Sequence, residues 1–202
     1  MFSSTEVRSL PLQVFLNYRG EELRNSFVSH LADDFKRHGI DFFVDNSELR
    51  GKDLKTLFER IEESRIALAI FSTRYAESRW CLDELVKMKK RADKKKLHVI
   101  PIFYKVRARD VKEQEGEFGE HFRKLARASS GNQIKKWKEA LERISEKMGL
   151  PLKDNSTEAG FVKEIVEEVQ RVLAAIGLEE EENRFGRVIR FIKVRKLKLR
   201  RR

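Results

Sequence analysis

The stretch that decides the fold is Ser78-Arg79-Trp80-Cys81-Leu82-Asp83-Glu84-Leu85, together with the apolar run before it, Ile66-Ala67-Leu68-Ala69-Ile70-Phe71. The apolar run is short, partly β-branched and bounded by charge, which predicts a buried strand. A polar loop follows, and a helix is predicted to begin near Trp80 and to run toward Arg91. This order predicts one unit of an open α/β sheet, in which ligands bind where strands lead into helices.

Two side chains in this stretch have a spacing that permits chemistry. Trp80 and Glu84 are four residues apart and therefore lie on the same face of the predicted helix. An aromatic ring beside a carboxylate could stack a flat heterocycle and stabilise a developing positive charge. The alternative is that Trp80 belongs to the core and Glu84 is a solvated helix acid, and the spacing alone favours this second interpretation.

The same alternation of strand and helix recurs along the chain. Strands are predicted at 14–18, 41–44, 66–71 and 99–104, and helices at 22–37, 54–64, 80–91, 118–128, 133–148 and 161–173. Four repeats of strand and helix favour parallel pairing with right-handed crossovers. We therefore expect an α/β fold, flavodoxin-like, with a parallel sheet of about five strands and helices on both faces.

Composition limits the class of protein. Of the 202 residues, 40% are hydrophobic, which is enough for a packed core, and the single cysteine excludes an internal disulfide framework. No apolar run reaches the length of a membrane span, and no secretory signal is visible. The four histidines are scattered, so we expect no metal site. These features predict the cytoplasm as the location.

Charge is concentrated at one end of the chain. The net charge is +11, and residues 184 to 202 contain ten Lys or Arg and no acid, which leaves 34 basic and 33 acidic residues elsewhere. We predict three parts of the chain: a flexible N-terminus at residues 1–11, a folded domain at 12–176, and an acidic linker with a basic tail at 177–202. The last helix of the folded domain is predicted to end near Leu173. The tail could bind an anionic membrane or nucleic acid, direct the protein to the nucleus, or be a disordered, solvated tail.

Four stretches, in order, carry a resemblance to a known family. They are Val14-Phe15-Leu16-Asn17-Tyr18-Arg19-Gly20, Ser26-Phe27-Val28-Ser29-His30-Leu31, residues 78 to 85, and residues 99 to 104. Together they resemble a plant-type Toll/interleukin-1 receptor (TIR) domain, and most closely the short plant immune proteins that consist of a TIR domain alone. The resemblance covers residues 12 to 173.

The resemblance implies an enzyme. TIR domains of this kind cleave NAD+ to nicotinamide and ADP-ribose-type nucleotides, and the family's catalytic glutamate falls on Glu84. Cleavage of the nicotinamide–ribose bond creates an oxocarbenium-like centre, which a nearby carboxylate stabilises. Nicotinamide leaves as a neutral molecule, so we expect no metal and no cofactor, with NAD+ as the substrate.

The resemblance also implies roles for other residues. Arg19 and Gly20 would lie beside the pyrophosphate and ribose, and Trp80 beside the catalytic helix. The loop from Asp45 to Asp53 corresponds to a mobile loop of the family that gates the pocket, and its expected substrate-binding residues are Asp45, Ser47 and Gly51. Ser29 and His30 match one surface of self-association and Gly149 another, although these could also be an exposed pair and a helix stop.

The sequence departs from the family at several positions. Asn17 stands where the family usually has Ser, Glu22-Leu23-Arg24 where it has Asp-Thr-Arg, and Ala108 where it has proline. Three functions stay open: an NAD+ nucleosidase that acts when self-associated in plant immune and cell-death signalling, a silent adaptor that only nucleates TIR–TIR assembly, and a nucleic-acid-dependent cyclic nucleotide synthetase. The expected location is cytoplasmic, with the nucleus as the alternative.

Overall fold

The computed structural model describes residues 14–44 and 54–199. The predicted flexible N-terminus and the loop with Asp45, Ser47 and Gly51 lie outside the described residues. The described part falls into two units, one up to Val166 and one from Glu167 onward. The first unit contains the sheet and all the candidate site residues that the structure describes.

The sheet confirms the predicted α/β architecture. Five strands pair in the order β2-β1-β3-β4-β5, and every pairing is parallel. Their bounds are β1 Val14–Tyr18, β2 Phe42–Val44, β3 Ile66–Phe71, β4 His98–Phe103 and β5 Leu150–Pro151. Both central strands β1 and β3 are buried along their whole length, as expected of parallel strands that are covered on both faces.

The helices follow the predicted order with more breaks. They are α1 Gly20–Leu23, α2 Phe27–Arg37, α3 Leu54–Glu63, α4 Arg79–Asp93, α5 Ala108–Glu113, α6 Gly116–Ala126, α7 Gly131–Ser145 and α8 Glu158–Leu199. A short 3-10 turn, Tyr75–Glu77, precedes α4. The single helix predicted at 22–37 is wrong, because the turn-favouring pair Asn25 and Ser26 separates α1 from α2.

The core lies where α4, α6 and α7 cover the sheet. Aromatic side chains fill it, among them Phe15, Phe71, Tyr75, Phe118 and Trp137. The buried helix stripe that the sequence predicts is present, since Leu23, Phe27, Leu31 and Phe35 are all buried in spite of the break between α1 and α2. This core holds the beginning of α4, and with it Glu84, against the ends of β1 and β3.

The predicted end of the last helix near Leu173 is wrong. Helix α8 continues to Leu199, through the segment that we interpreted as an acidic linker. Glu, Lys, Arg and Leu, which dominate this segment, are all strong helix formers, and Gly177 costs only about 1 kcal/mol in a helix interior. The domain boundary at 176/177 stays a prediction.

Candidate functional site

The candidate site lies at the carboxyl ends of the two central strands. In the order β2-β1-β3-β4-β5, the chain moves to one side of β1 for β2 and to the other side for β3. This reversal makes the gap between β1 and β3 the place where open α/β sheets bind ligands. A cavity of about 170 Å³ lies there, lined by Leu16, Tyr18, Arg19, Gly20, Glu21, Arg24, Ser78, Trp80, Cys81 and Glu84.

Glu84 is the buried acid of this cavity. Its side chain is only 3% exposed, although it sits on a helix rich in solvated charges. Helix α4 places it there because Ser78 caps the helix, accepting a hydrogen bond of 3.2 Å from the backbone nitrogen of Cys81. The interpretation of Glu84 as a solvated helix acid is therefore wrong.

Asn17 is the direct partner of this acid. Its side-chain nitrogen Nδ2 donates a hydrogen bond of 2.7 Å to Oε2 of Glu84 and a second one of 3.2 Å to the carbonyl oxygen of Cys81. Asn17 itself is fully buried in β1. Sequence reasoning noted Asn17 only as a departure from the family pattern. A polar residue inside the apolar strand 14–18 was the signal that could have identified it.

Tyr75 completes the buried network. Its hydroxyl donates to Oδ1 of Asn17 and lies 3.1 Å from the carbonyl oxygen of Cys81. Burial, helped by the nearby Cys81 and Glu84, raises the pKa of Tyr75 well above its ordinary value, so the hydroxyl keeps its proton. No sequence pattern indicated this role, because Tyr75 lies in a segment predicted as a loop and carries no motif.

Trp80 serves the core and the cavity together. Its ring packs against the core cluster, and the side chain also lines the cavity beside Glu84. The indole nitrogen Nε1 is buried and has no hydrogen-bond partner among residues 14–44 and 54–199. The two interpretations of Trp80 are therefore compatible, and stacking of a substrate ring on it stays a prediction.

Arg19 lies at the end of β1, at the rim of the cavity. Its guanidinium nitrogen Nη2 is 2.6 Å from Glu21 and 3.7 Å from Glu77. Glu77 also contacts Arg74 at 2.8 Å and His121 at 2.9 Å. The hydrogen bond from Arg74, despite partial burial and with help from His121 and Arg19, lowers the pKa of Glu77. Glu77 is thus an anion within 3.7 Å of the Arg19 guanidinium.

Gly20 follows Arg19 at the first turn of α1. A Cβ atom at this position would come within 2.6 Å of the guanidinium nitrogen Nη2 of Arg24. Glycine therefore lets the Arg24 side chain lie against the backbone at the cavity wall. Of the predicted substrate-binding residues that the structure describes, Arg19, Gly20 and Trp80 all line the same cavity as Glu84.

The predicted self-association residues do not line this cavity. Ser29 is half-buried and His30 is exposed on α2, where His30 Nδ1 is 3.6 Å from Glu158. Gly149 has a strict packing role, because a Cβ atom there would lie 2.4 Å from the carbonyl oxygen of Pro101 in β4. The helix-stop interpretation thus misses a steric requirement, and a role of Gly149 in self-association stays a prediction.

A shallower, mixed-charge cleft of about 620 Å³ lies near the ends of β4 and β5, with Lys105, Arg107, Asp110 and Lys153 among its residues. Within the described ranges, no three His, Cys, Asp or Glu side chains are grouped as metal ligands. No helix in that part of the chain is long and apolar enough to cross a membrane.

A doubly wound parallel sheet with a buried acid at its switch point defines the class of protein. Within that class, a model of the TIR domain family matches residues 12–188, and the chain belongs to that family. It is 55% identical over 191 residues to the disease resistance protein RBA1 of Arabidopsis thaliana, which covers 94% of this chain and 53% of that protein. The chain thus spans about half the length of RBA1.

Further comparisons agree with this family. The disease resistance-like protein CSA1 of the same plant is 51% identical over 161 residues, which is 80% of this chain and 14% of CSA1. The TIR domains of the activated Roq1 resistosome match with a TM-score of 0.71 and 36% identity, covering 78% of this chain and 99% of that one. The heterodimer of the RPS4 and RRS1 TIR domains, at 20% identity and a TM-score of 0.52, shares the fold, covering 79% of this chain and 96% of that one. The chain is a TIR domain of the kind found in plant immune proteins.

Proposed function

We propose that this protein cleaves NAD+ at the bond between nicotinamide and ribose, with Glu84 as the catalytic carboxylate. The observation that carries this proposal is the position of Glu84: it is 3% exposed, at the switch point of the sheet, and accepts a 2.7 Å hydrogen bond from Asn17. A carboxylate kept away from water interacts strongly with a positive charge that develops beside it. The family to which the chain belongs supports the same chemistry.

The dimensions of the site limit how the substrate would lie. Pockets for whole drug-sized ligands usually measure about 300–1,000 Å³, whereas the cavity beside Glu84 measures about 170 Å³. That volume is too small for a whole dinucleotide, so we infer that only the nicotinamide end of the substrate enters it. In this arrangement the ribose carbon faces Glu84, the nicotinamide ring lies near Trp80, and the pyrophosphate extends toward the cationic rim at Arg19.

The reaction needs few groups from the protein. The bond from the ribose carbon to the nicotinamide nitrogen breaks, its electron pair leaves with the neutral nicotinamide, and water adds to the ribosyl cation. Glu84 stabilises the cation and can take the proton of the attacking water. Either role requires the ionised carboxylate, so we expect turnover to fall when Glu84 is protonated.

Measurement of nicotinamide release from NAD+ by the purified full chain tests this proposal. Glu84→Gln keeps the size of the side chain and removes its charge, so release should fall by about two to three orders of magnitude. The control is Glu120→Gln, which changes an exposed acid on α6 and should leave the rate unchanged. Equal rates in Glu84→Gln and wild type, with intact circular dichroism, would exclude Glu84 as the catalytic residue.

We further propose that self-association through α2 activates the enzyme in plant immune signalling, in the cytoplasm or the nucleus. TIR domains assemble in the activated Roq1 resistosome, and RPS4 and RRS1 form a TIR heterodimer. In this chain His30 is exposed on α2 and does not line the cavity.

The double variant Ser29→Ala/His30→Ala tests this proposal. It should lower the sedimentation coefficient at high protein concentration and lower the rate of nicotinamide release with it. Unchanged sedimentation of the double variant would show that the protein self-associates through another surface. A wild-type protein that assembles and releases no nicotinamide would be an adaptor and not an enzyme.

A further inference from the structure

We propose that Asn17 is a positioning residue that keeps Glu84 ionised and oriented in the cavity, with Tyr75 fixing the orientation of the Asn17 amide. The consequence for activity rests on the proposed function, whereas the effect on Glu84 itself does not.

The orientation of the Asn17 amide follows from its surroundings. The carbonyl oxygen of Cys81 can only accept a hydrogen bond, so the group that faces it at 3.2 Å must be the NH2 of Asn17. On the other side, the amide oxygen accepts from the Tyr75 hydroxyl. With both ends fixed, the second N–H of Asn17 points at Glu84 and donates to Oε2 at 2.7 Å.

This arrangement favours the charged form of Glu84. A fixed N–H donor stabilises a carboxylate and offers nothing to the proton of a carboxylic acid, so it opposes the effect of burial on the acid. Tyr75 remains a donor at neutral pH, because burial raises its pKa. If Asn17 turned its amide oxygen toward Glu84, it would lose the hydrogen bonds to the Cys81 carbonyl and from the Tyr75 hydroxyl.

Several other groups share the cavity with Glu84. From β1, α1 and the two residues that flank α1, the side chains of Tyr18, Arg19, Glu21 and Arg24 line the same cavity. Cys81 is one helical turn before Glu84. The Arg19 guanidinium is shared between Glu21 and Glu77, which weakens its effect on Glu84. From the turn before α4, the Tyr75 hydroxyl contacts Asn17 and the carbonyl oxygen of Cys81. Asn17 donates a direct hydrogen bond of 2.7 Å to Glu84.

The test is a titration of Glu84 in Asn17→Leu. Leucine has the branched shape of asparagine, a larger volume and no donor, and Tyr75 keeps the Cys81 carbonyl as an acceptor. In full-length protein labelled with carboxyl-¹³C glutamate, we expect Glu84 to ionise about one pH unit higher than in wild type, because the donor to its charged form is lost. The Glu84 resonance is assigned by its loss in Glu84→Gln. The acid limb of kcat for nicotinamide release should move by the same amount.

Two further variants make the result decisive. Ser145→Ala removes a buried hydroxyl that donates to the carbonyl oxygen of Leu141 at 2.6 Å, so it controls for the loss of a buried polar group elsewhere in the fold. It should leave the titration of Glu84 unchanged. Tyr75→Phe keeps Asn17 but removes one of the two contacts that fix its amide, and should shift Glu84 in the same direction by less. If Asn17→Leu does not fold, Tyr75→Phe decides.

The inference would be overturned if Glu84 ionises at the wild-type pH in Asn17→Leu, or in Tyr75→Phe where only that variant folds. It would also be overturned if Ser145→Ala shifts Glu84 as much as they do. A wild type that releases no nicotinamide would overturn the proposed function, and the NMR titration would still decide the role of Asn17.

Discussion

The indole nitrogen of Trp137 donates a hydrogen bond of 2.8 Å to Asp83, the residue directly before the buried acid Glu84. Gln133 donates to the same oxygen at 2.5 Å, so two residues of α7 hold one carboxylate of α4. Neighbouring residues of a helix point in different directions, about 100° apart. Asp83 therefore anchors α4 to α7 on one side while Glu84 enters the cavity on another.

This anchor predicts a stability difference between two substitutions. Asp83→Ala leaves the fully buried Trp137 nitrogen without its acceptor and should lower the free energy of unfolding by about 1–3 kcal/mol. Asp83→Asn keeps an acceptor oxygen and should cost less than half as much. Urea denaturation measures both. Equal losses in the two variants would mean that the negative charge, rather than the hydrogen bond to Trp137, is what matters.

Much of the fold could be predicted from sequence because its signals are local. The span of β3, residues 66 to 71, is confirmed to the residue, since a six-residue apolar run between charges has few other solutions. The strand β5 could not be predicted, because Leu150–Pro151 has only two residues and exists through its pairing with β4. Glu84 was found through its motif. Asn17 contacts Glu84 across 67 residues of sequence, and Tyr75 contacts Asn17 across 58 residues. No local sequence pattern predicts such contacts.

Gly149 is predicted to be required for folding. A methyl group there would overlap the Pro101 carbonyl at 2.4 Å and the Pro101 ring at 2.7 Å, and β4 is buried and cannot move away. Gly149→Ala should therefore lower the free energy of unfolding by about 3 kcal/mol. The matched control is Gly177→Ala in α8, where nothing lies within 4 Å of the new methyl group; it should be neutral or add up to about 1 kcal/mol.

Thermal melts of the two glycine variants at low protein concentration would check this. A Gly149→Ala protein that melts like wild type and fails only to self-associate would show that Gly149 acts at an intermolecular surface, as the family resemblance implies. A protein that melts at lower temperature at every concentration would show that its effect on assembly follows from the fold.

Glu77 predicts a pH dependence of stability. Arg74, together with His121 and Arg19, lowers the pKa of Glu77 in the folded protein. The ionised form is thus favoured by folding, and the stabilisation is complete above the unfolded pKa of about 4.3 and lost as the pH falls through the lower, folded value. Glu77→Gln should cost at most about 1 kcal/mol at pH 7, because the ion pairs are partly exposed.

Urea denaturation of wild type and Glu77→Gln between pH 7 and pH 3 measures this effect. The difference between the two proteins should shrink as the pH falls below about 4.3. A difference that stays constant across the range would mean that Glu77 stabilises by packing and not by charge. Because Glu77 also contacts Arg19, at 3.7 Å, the variant should raise the KM for NAD+ more than it lowers kcat.

The basic segment 184–202 is predicted to carry the binding of the chain to polyanions. It contains ten cations and no acid, so its removal lowers the net charge from +11 to +1. Lys and Arg attract phosphate and sulfate groups through released counterions, and an almost neutral protein lacks this attraction. A chain that ends at residue 183 should therefore elute from heparin at much lower salt than the full chain. Every candidate site residue lies before the deletion, so nicotinamide release per assembled protomer should persist.

The control is a full-length chain in which four exposed lysines at the end of α4 and just after it are changed to Gln: Lys90, Lys94, Lys95 and Lys96. If the lysine variant elutes from heparin at lower salt and the shortened chain does not, the polyanion surface lies on α4. The segment 184–202 would then have a different role.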